Sequence, residues 1–399
     1  MTTTINNKNK KANVPNLRFS EFQGEWEKCR LGDITENFNL RNKDKIQYPM
    51  FSVTNDRGFV PQSEQFEGRD MVGEDIKAYK IIHTNDFAYN PARINVGSIA
   101  MYTGEKPCMI SSLYVCFKTT KEVNNEWLMQ LLKTPKMNYY YNVNGEGGVR
   151  VYLFYPNFAR IRMSIPKIEE QKKIAKLLNL IDERIAIQNK IIDKLQSLIK
   201  GINQRVFMNS GNNYKLGEIC EIRSGYSGSQ HLSKKGLKVS RIETISGHKV
   251  NMERVGYVAP FESSENYRLR VGDILFSNIN SVEYIGNTAF IDKDYDLYHG
   301  MNLLRLTPNN MVVIPFYLYL LLNTNRMLNR FKTVCNKAVS QASINQTELG
   351  KTVVQIPDIN AQKQICELYQ ALYDKLESEK YANSLFQKQK QYLLRQMFI

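Results

Sequence analysis

The chain contains the same motif twice, and this internal repeat constrains its fold more than any other feature. Residues 165–186 read IPKIEEQKKIAKLLNLIDERIA, and residues 356–377 read IPDINAQKQICELYQALYDKLE. A gap-free alignment of these segments pairs identical residues as follows: Ile165/Ile356, Pro166/Pro357, Ile168/Ile359, Gln171/Gln362, Lys172/Lys363, Ile174/Ile365 and Leu177/Leu368. A shorter echo opens each half, LGDI at 31–34 and LGEI at 216–219. The repeat therefore predicts two similar folded halves related by approximate two-fold symmetry.

Composition favours a globular protein with a polyanionic partner. A chain of 399 residues is long enough for two or more domains with cores of their own. Its net charge of +15 attracts polyanions, and a DNA site in two halves suits a duplicated binding face. The longest apolar run, from Met311 to Leu322, contains Pro315 and is too short to span a bilayer. The six cysteines lack Cys-x-x-Cys spacing, so we expect no disulfides and no structural zinc site. A reducing cytoplasm is the expected setting.

The repeat divides the chain into five predicted segments. These are a disordered basic tail (1–14), a first α+β domain (15–165), a long helix (166–210), a second α+β domain (211–356) and a second long helix (357–399). Short apolar runs between turn residues predict strands, and the run at 86–89 corresponds to the run at 273–276. One helix is predicted within each domain, over residues 125–137 and 315–330.

The two long segments are predicted to form an antiparallel coiled coil. Positions at 4,3 spacing in the first helix are almost all aliphatic: Ile174, Leu178, Ile181, Ile185, Gln188, Ile192 and Leu195. The equivalent positions in the second helix are more polar, and they include Leu372, Leu376, Asn383, Phe386 and Leu393. Two-fold symmetry within one chain makes the pair antiparallel. Without stagger, Gln188 would face Asn383, and such a polar pair fixes register.

Motifs for catalysis are missing from the sequence. It has no Walker A motif, no Gly-x-Gly-x-x-Gly after a strand and no His-Glu-x-x-His, and its four histidines are scattered. The segment 90–93 reads NPAR, which approaches the Asn-Pro-Pro-Tyr loop of amino-methyltransferases but lacks the second proline and the aromatic residue. These observations predict a chain that is not itself catalytic and that holds no metal.

The sequence resembles the specificity subunits of type I restriction–modification systems. The likeness lies in VPNLRF at 14–19, Phe22, GEWE at 24–27, LGDI at 31–34 and the two Ile-Pro-x-Ile-x-x-Gln-x-x-Ile segments. The resemblance implies two target-recognition domains joined by antiparallel helices, each domain reading one half of a DNA site while the helices set the gap. It also implies partner subunits: modification subunits that methylate adenine with S-adenosylmethionine, and restriction subunits that translocate and cut DNA with ATP and Mg²⁺.

Base contacts require forked or amide donors on loops, because arginine and lysine suit guanine whereas asparagine and glutamine suit adenine. In the first domain the candidate residues are Asn55, Arg57, Arg93, Asn95 and Arg150. Their counterparts in the second domain are Arg241, Ser277, Asn278, Asn280, Ser340, Gln341 and Ser343. Phosphate contacts are predicted for Lys43, Lys45, Lys234 and Lys235.

Two other functions remain open at this stage. The chain could be a free-standing regulator that binds DNA or RNA without an enzyme partner. It could also be a divergent methyltransferase or nuclease, an alternative that binding of S-adenosylmethionine by the purified chain would favour.

Overall fold

The computed structural model describes residues 13–65, 76–147, 151–207, 211–231, 233–337 and 341–399. The chain forms two compact units. The first unit comprises residues up to Asn189 together with Tyr381–Ile399, and the second unit comprises Lys190–Lys380. Each unit therefore contains one α+β globular part and one half of each long helix. The sequence-based boundaries at 166 and 357 instead treat the helices as segments separate from the domains.

The described part of the first unit alternates short strands with short helices. Its strands are β1 (Glu27–Arg30), β2 (Thr35–Phe38), β3 (Phe51–Thr54), β4 (Gly58–Pro61), β5 (Lys80–Ile82), β6 (Phe87–Tyr89), β7 (Ile99–Met101), β8 (Cys108–Ile110), β9 (Val115–Thr119) and β10 (Arg162–Ile165). Its helices are α1 (Leu31–Ile34), α2 (Gln62–Gln65), α3 (Asn125–Leu132), α4 (Pro135–Asn144) and α5 (Tyr155–Ala159), followed by the long helix α6 (Ile168–Val206).

The described part of the second unit repeats this order. Its strands are β11 (Asn212–Lys215), β12 (Cys220–Ser224), β13 (Leu237–Val239), β14 (Gly256–Val258), β15 (Ile274–Ser277), β16 (Ile279–Asn280), β17 (Thr288–Phe290), β18 (Leu303–Pro308), β19 (Asn336–Lys337), β20 (Ala342–Ser343) and β21 (Val353–Ile356). Its helices are α7 (Leu216–Ile219), α8 (Pro315–Leu322), α9 (Asn325–Val334) and α10 (Gln346–Gly350), followed by the long helix α11 (Ile359–Met397).

Each unit is built on a four-stranded antiparallel sheet with the same topology. The strand order is β2-β9-β6-β7 in the first unit and β12-β18-β15-β17 in the second. Equivalent residues occupy the same register, with Phe87 opposite Phe117 and Ile274 opposite Leu306. Side chains alternate between the two faces of a strand, so both pairs face the core formed by the helices of their unit.

The helix predicted at 125–137 is two helices, and so is the one predicted at 315–330. In the first unit α3 ends at Leu132 and α4 begins at Pro135, where Thr134 caps the helix by accepting a hydrogen bond from the amide of Met137. In the second unit Thr324 makes the same contact with Met327. A capping threonine has extended backbone angles, so it interrupts the helix although the apolar pattern continues.

The repeated glutamine of the Ile-Pro-x-Ile-x-x-Gln motif fastens each long helix to its globular part. Gln171 is buried, accepts a hydrogen bond from the amide of Asn124, and donates to the carbonyls of Glu122 and Pro166. Gln362 is also buried and makes the equivalent contacts with the amide of Ile314 and the carbonyls of Val312 and Pro357. All six partners are backbone atoms, which explains why the motif recurs although the surrounding sequences differ.

The long helices pack antiparallel within each unit. In the first unit the N-terminal half of α6 meets the C-terminal half of α11, and Lys390 pairs with Asp182 at 2.5 Å. In the second unit Tyr369 donates a hydrogen bond to Asn203 at 3.2 Å. Asn383 donates to Asn189 at 2.9 Å, one residue from the unstaggered prediction of Gln188.

Burial along the predicted seam is uneven. Ile174, Leu178, Ile181, Gln188, Leu376 and Leu393 are buried, whereas Ile185, Ile192, Leu195, Leu372, Asn383 and Phe386 are half-buried. The best-buried aliphatic residues of α6 lie in the first unit, where they join its hydrophobic core. The apolar seam is therefore most fully sequestered where a helix also packs against a globular part.

Candidate nucleic-acid interface

Three segments of the first unit lie together beyond the end of β6, and we call them the first loop cluster. They are the turn at 54–58, the loop at 90–98 and the described parts of the hairpin at 144–153. Ser98 donates to the carbonyl of Val53 at 2.7 Å, and the amide of Leu153 donates to the carbonyl of Pro91 at 3.0 Å. Gly97 has a φ of 103°, and a Cβ atom at this position would lie 3.1 Å from the carbonyl oxygen of Asn55. A side chain at position 97 would therefore push these loops apart.

The first loop cluster collects most of the predicted base contacts of its unit. Arg93 is exposed and precedes a short 3-10 helix at Ile94–Val96. Asn95 is half-buried and donates a hydrogen bond to Asn142 at 3.0 Å. Asn55 and Arg57 are exposed in the adjoining turn, and a guanidinium nitrogen of Arg57 lies 3.8 Å from Glu64. Arg93 and Asn55 thus present polar groups at the surface.

The second loop cluster occupies the equivalent place in the second unit. Strands β16, β20 and β19 form a small antiparallel sheet that brings together the loop after β15 and the described residues of the segment 336–344. The amide of Ile344 donates to the carbonyl of Asn278 at 2.9 Å, which repeats the bond between Leu153 and Pro91. Gly286 has a φ of 83° and corresponds to Gly97.

The predicted contact residues of the second loop cluster differ in exposure and in hydrogen bonding. Ser277 is 1% exposed, so its hydroxyl is not available at the surface. It instead accepts a hydrogen bond from the side-chain Nδ2 of Asn280 at 3.1 Å and thereby orients that side chain. Asn278 has a buried side-chain oxygen without a hydrogen-bond partner. Gln341 is exposed and Ser343 is half-buried on the paired hairpin. Asn278, Asn280 and Gln341 are therefore brought together by the fold.

Three basic candidates of the second unit are exposed. Arg241 lines a cavity of 460 Å³ with residues 227–230, and its Nε atom lies 4.0 Å from Glu243. Lys234 and Lys235 lie in the loop before β13. Their exposure suits contacts with phosphate, which is reached from outside the grooves.

Four further predicted residues are not among the described residues of the loop clusters. Lys43 and Lys45 are exposed on a turn that Asn42 closes by accepting a hydrogen bond from the amide of Ile46 and donating to its carbonyl. Both lysines lie between β2 and β3, outside the three segments of the first loop cluster. Arg150 and Ser340 lie outside the described residues.

The structure adds residues that the sequence patterns did not reveal. Asn336 and Lys337 are exposed on β19, which pairs with the strand that carries Ser343. Asn142 enters the first cluster through its bond with Asn95. Asn336 and Lys337 follow α9, and Asn142 lies near the end of α4. None of the three belongs to a motif, so only the strand pairing and helix packing show their position. The signal available in the sequence was their polarity just before the closing hairpin of each domain.

Within the ranges that the structure describes, no group of three or more His, Cys, Asp or Glu side chains is arranged to hold a metal ion. No helix in those ranges has the length and apolarity needed to cross a membrane.

Comparison with known proteins identifies one family in both halves of the chain. The family described as type I restriction modification DNA specificity domain matches residues 23–197 and again residues 210–384. Over 158 residues the chain is 43% identical to a putative type I restriction enzyme MjaX specificity subunit of Methanocaldococcus jannaschii. That match covers 39% of this chain and 37% of the relative, so the chain spans little more than a third of that protein in the alignment. The MjaVIII specificity subunit of the same organism is 23% identical, with 94% of both chains covered.

Solved structures share the fold over nearly the whole chain. The type I restriction–modification S subunit from M. genitalium superposes with a TM-score of 0.59 at 14% identity, covering 97% of this chain and 99% of that one. A chain from a study of complex assembly in the type I system gives a TM-score of 0.60 at 16% identity, covering 92% and 96%. At these identities the likeness concerns architecture: two repeated α+β parts and two long helices.

Proposed function

We propose that this chain, which belongs to the type I restriction modification DNA specificity family, recognises a double-stranded DNA site in two separated halves. Each unit reads one half-site with its own loop cluster, and the paired long helices set the number of base pairs between the halves. The chain itself carries out no chemical step. Its role is to bring modification and restriction subunits to the sites that it recognises.

The observation that carries this proposal is the repetition of one loop arrangement with different side chains. Each cluster includes the loop after the equivalent strand of its own four-stranded sheet, and an equivalent backbone hydrogen bond closes each of them. The first cluster presents Arg93 and Asn55, whereas the second presents Asn280 and Gln341. Arginine forks onto the O6 and N7 atoms of guanine, and asparagine or glutamine pairs with the N6 and N7 atoms of adenine. One scaffold with two sets of donors suits two different half-sites.

The partners follow from the family. The modification subunits would methylate adenine with S-adenosylmethionine, and the restriction subunits would translocate and cleave DNA with ATP and Mg²⁺. These cofactors belong to the partner subunits. This chain contributes specific binding to the DNA site and a surface on which the partner subunits assemble.

Mapping of methyladenine across the genome tests the proposal directly. Cells that carry this gene with its modification partner should show methylation at one two-part sequence, and deletion of the gene should abolish it. A chimera in which residues 20–165 are replaced by the equivalent domain of a relative should change one half-site and leave the other half-site and the gap unchanged. A reciprocal exchange of residues 212–355 is the matched control, and it should change only the other half.

Two outcomes would contradict the proposal. A chimera that alters both half-sites together would show that the units do not read DNA independently. Binding of DNA without any stable association with a methyltransferase would instead favour a free-standing regulator. In that case the methylation map would not depend on the gene.

A further inference from the structure

The second unit contains a polar cavity next to the edge strand of its sheet, separate from the second loop cluster. The cavity has a volume of 420 Å³ and is lined by Arg223, Arg305, Ser224, Ser263, Asn266 and Gln346, together with two aromatic residues. Among the residues that the structure describes, no aspartate or glutamate lines it. Two guanidinium groups thus share a polar cavity whose described wall has no opposite charge.

The two arginines lie directly opposite each other on neighbouring strands. Arg223 of β12 pairs in register with Arg305 of β18. Like charges at directly opposed positions destabilise a sheet. In the first unit the equivalent pair is Phe38 and Cys116, which pack in a hydrophobic cluster. The second unit therefore has two positive charges where the same scaffold elsewhere uses two apolar side chains.

Arg305 is the more unusual of the two because its charge has no partner. It is 8% exposed, and its Nε atom is buried without a hydrogen-bond acceptor. A terminal guanidinium nitrogen donates to the carbonyl of Arg268 at 3.2 Å. Within the described part of the chain it forms no ion pair. A buried guanidinium is costly unless an anion compensates its charge.

Arg223 and Arg305 also line an adjoining cavity, whose wall includes the carboxylates of Glu221, Glu265 and Asp273. Glu221 pairs with Arg223, Glu265 accepts from the hydroxyl of Tyr298 at 3.3 Å, and Asp273 accepts from Thr307 at 2.6 Å. His299 does not supply positive charge either, because burial and the nearby Arg305 lower its pKa to about 4 and leave it neutral at pH 7. Among the described residues, Arg305 is therefore the guanidinium of this cavity that has no ion-pair partner.

We infer that this cavity binds a tetrahedral phosphate group, held by Arg305 and Arg223 with Asn266 and the hydroxyls of Ser224 and Ser263 as neutral donors. Arginine suits phosphate because its planar fork can donate two parallel hydrogen bonds to one oxyanion. The group could be a phosphodiester of the DNA backbone or a free phosphate, and the chemistry of the site is the same for both. The first source would rest on the proposed function, and the second would not.

Thermal unfolding of the full chain in sodium phosphate, against sodium chloride at equal ionic strength, tests for the site itself. The wild type should be stabilised by phosphate, with a Tm that rises with its concentration because the ligand binds the folded state. Arg305→Gln and Arg223→Gln should lose this response. Arg254→Gln is the matched control, because Arg254 is exposed in the same unit and does not line the cavity. Arg223 is half exposed, so its variant keeps the test valid if Arg305→Gln fails to fold.

Binding to duplex DNA over a range of salt concentrations identifies the source. If the site takes a backbone phosphate, Arg305→Gln should weaken binding to all sequences and lower the salt slope by about one unit. If it takes free phosphate, that variant should bind DNA as the wild type does. The inference would be overturned by equal Tm values in phosphate and chloride together with an unchanged salt slope, or by equal phosphate stabilisation of all three variants. A wild type that binds no DNA would contradict the proposed function and leave the phosphate measurement intact as a test.

Discussion

The two units share a scaffold but differ in how their long helices are held. In both, the motif glutamine bonds three backbone atoms, and an antiparallel strand pair closes the domain just before the long helix. In the first unit Glu170, which is 1% exposed, pairs with Arg18 through two hydrogen bonds and accepts a third from Trp26. The equivalent residue of the second unit is Ala361. The difference teaches that backbone contacts define the joint, whereas side-chain contacts are additions peculiar to one unit.

Insertion into the helix pair should have the largest effect. Three residues added after Gln188 and three more after Asn383 would turn aliphatic side chains toward water, because a seam keeps its face only over whole heptads. We expect loss of cooperative folding, measured by circular dichroism. Seven residues at each place should leave both units folded and lengthen the pair by roughly 10 Å.

The variant with seven added residues in each helix also tests whether the helix pair sets the gap between the half-sites. Roughly 10 Å corresponds to about three base pairs of B-DNA, so methylation should move to sites with a longer gap and unchanged half-sites. Continued methylation at the original gap alone would show that something other than the helix pair sets the spacing.

Removal of the Glu170 carboxylate should distinguish the units. Glu170→Ala leaves Arg18 without its partner, and breaking a buried ion pair costs about 3 kcal/mol. The expected loss is confined to the first unit, and hydrogen exchange followed peptide by peptide would locate it. Glu169→Ala is the control, since Glu169 is an exposed neighbour in the same helical turn. Equal loss of protection in residues 212–356 would mean that the two units do not unfold separately.

The glutamine joint should respond equally in both units. Gln171→Ala and Gln362→Ala each remove hydrogen bonds to one partly buried backbone amide and two carbonyls, and we expect about 2 kcal/mol of destabilisation from each. Gln364→Ala, at an exposed position of α11, should have little effect. Unequal losses from the two buried sites, measured by the same exchange experiment, would show that the joint is not equivalent.

The smallest effects concern single DNA contacts. Arg93→Ala and Asn280→Ala should each cost about 1–3 kcal/mol in binding and relax the preference at one base pair, in different half-sites. Lys234→Ala should weaken all sequences alike and lower the salt slope by about one unit. Competitive binding against single-base variants of the site makes the measurement. An unchanged base preference in the Arg93→Ala variant would show that Arg93, in the 90–98 loop, does not contribute to base recognition.

The sequence predicted the repeat, the long helices and the loops after β6 and β15, because each leaves a periodic or aligned signal. It did not predict the breaks at Thr134 and Thr324, since the apolar pattern runs through both. Ser277 was predicted as a surface contact, but burial depends on tertiary packing that a polar residue type does not reveal. The sequence also did not predict that Arg223 and Arg305 lie opposite each other, because strand register decides which residues face each other.

The division of the chain into units has a consequence for its synthesis on the ribosome. The second unit is one continuous stretch, whereas the first unit needs residues 381–399, and Leu393, Leu394, Met397 and Phe398 belong to its core. Those residues emerge only after the whole of the second unit has been translated. The half that begins first is therefore completed last, and a chain that stops soon after the second unit would contain all of that unit but a first unit without these core residues.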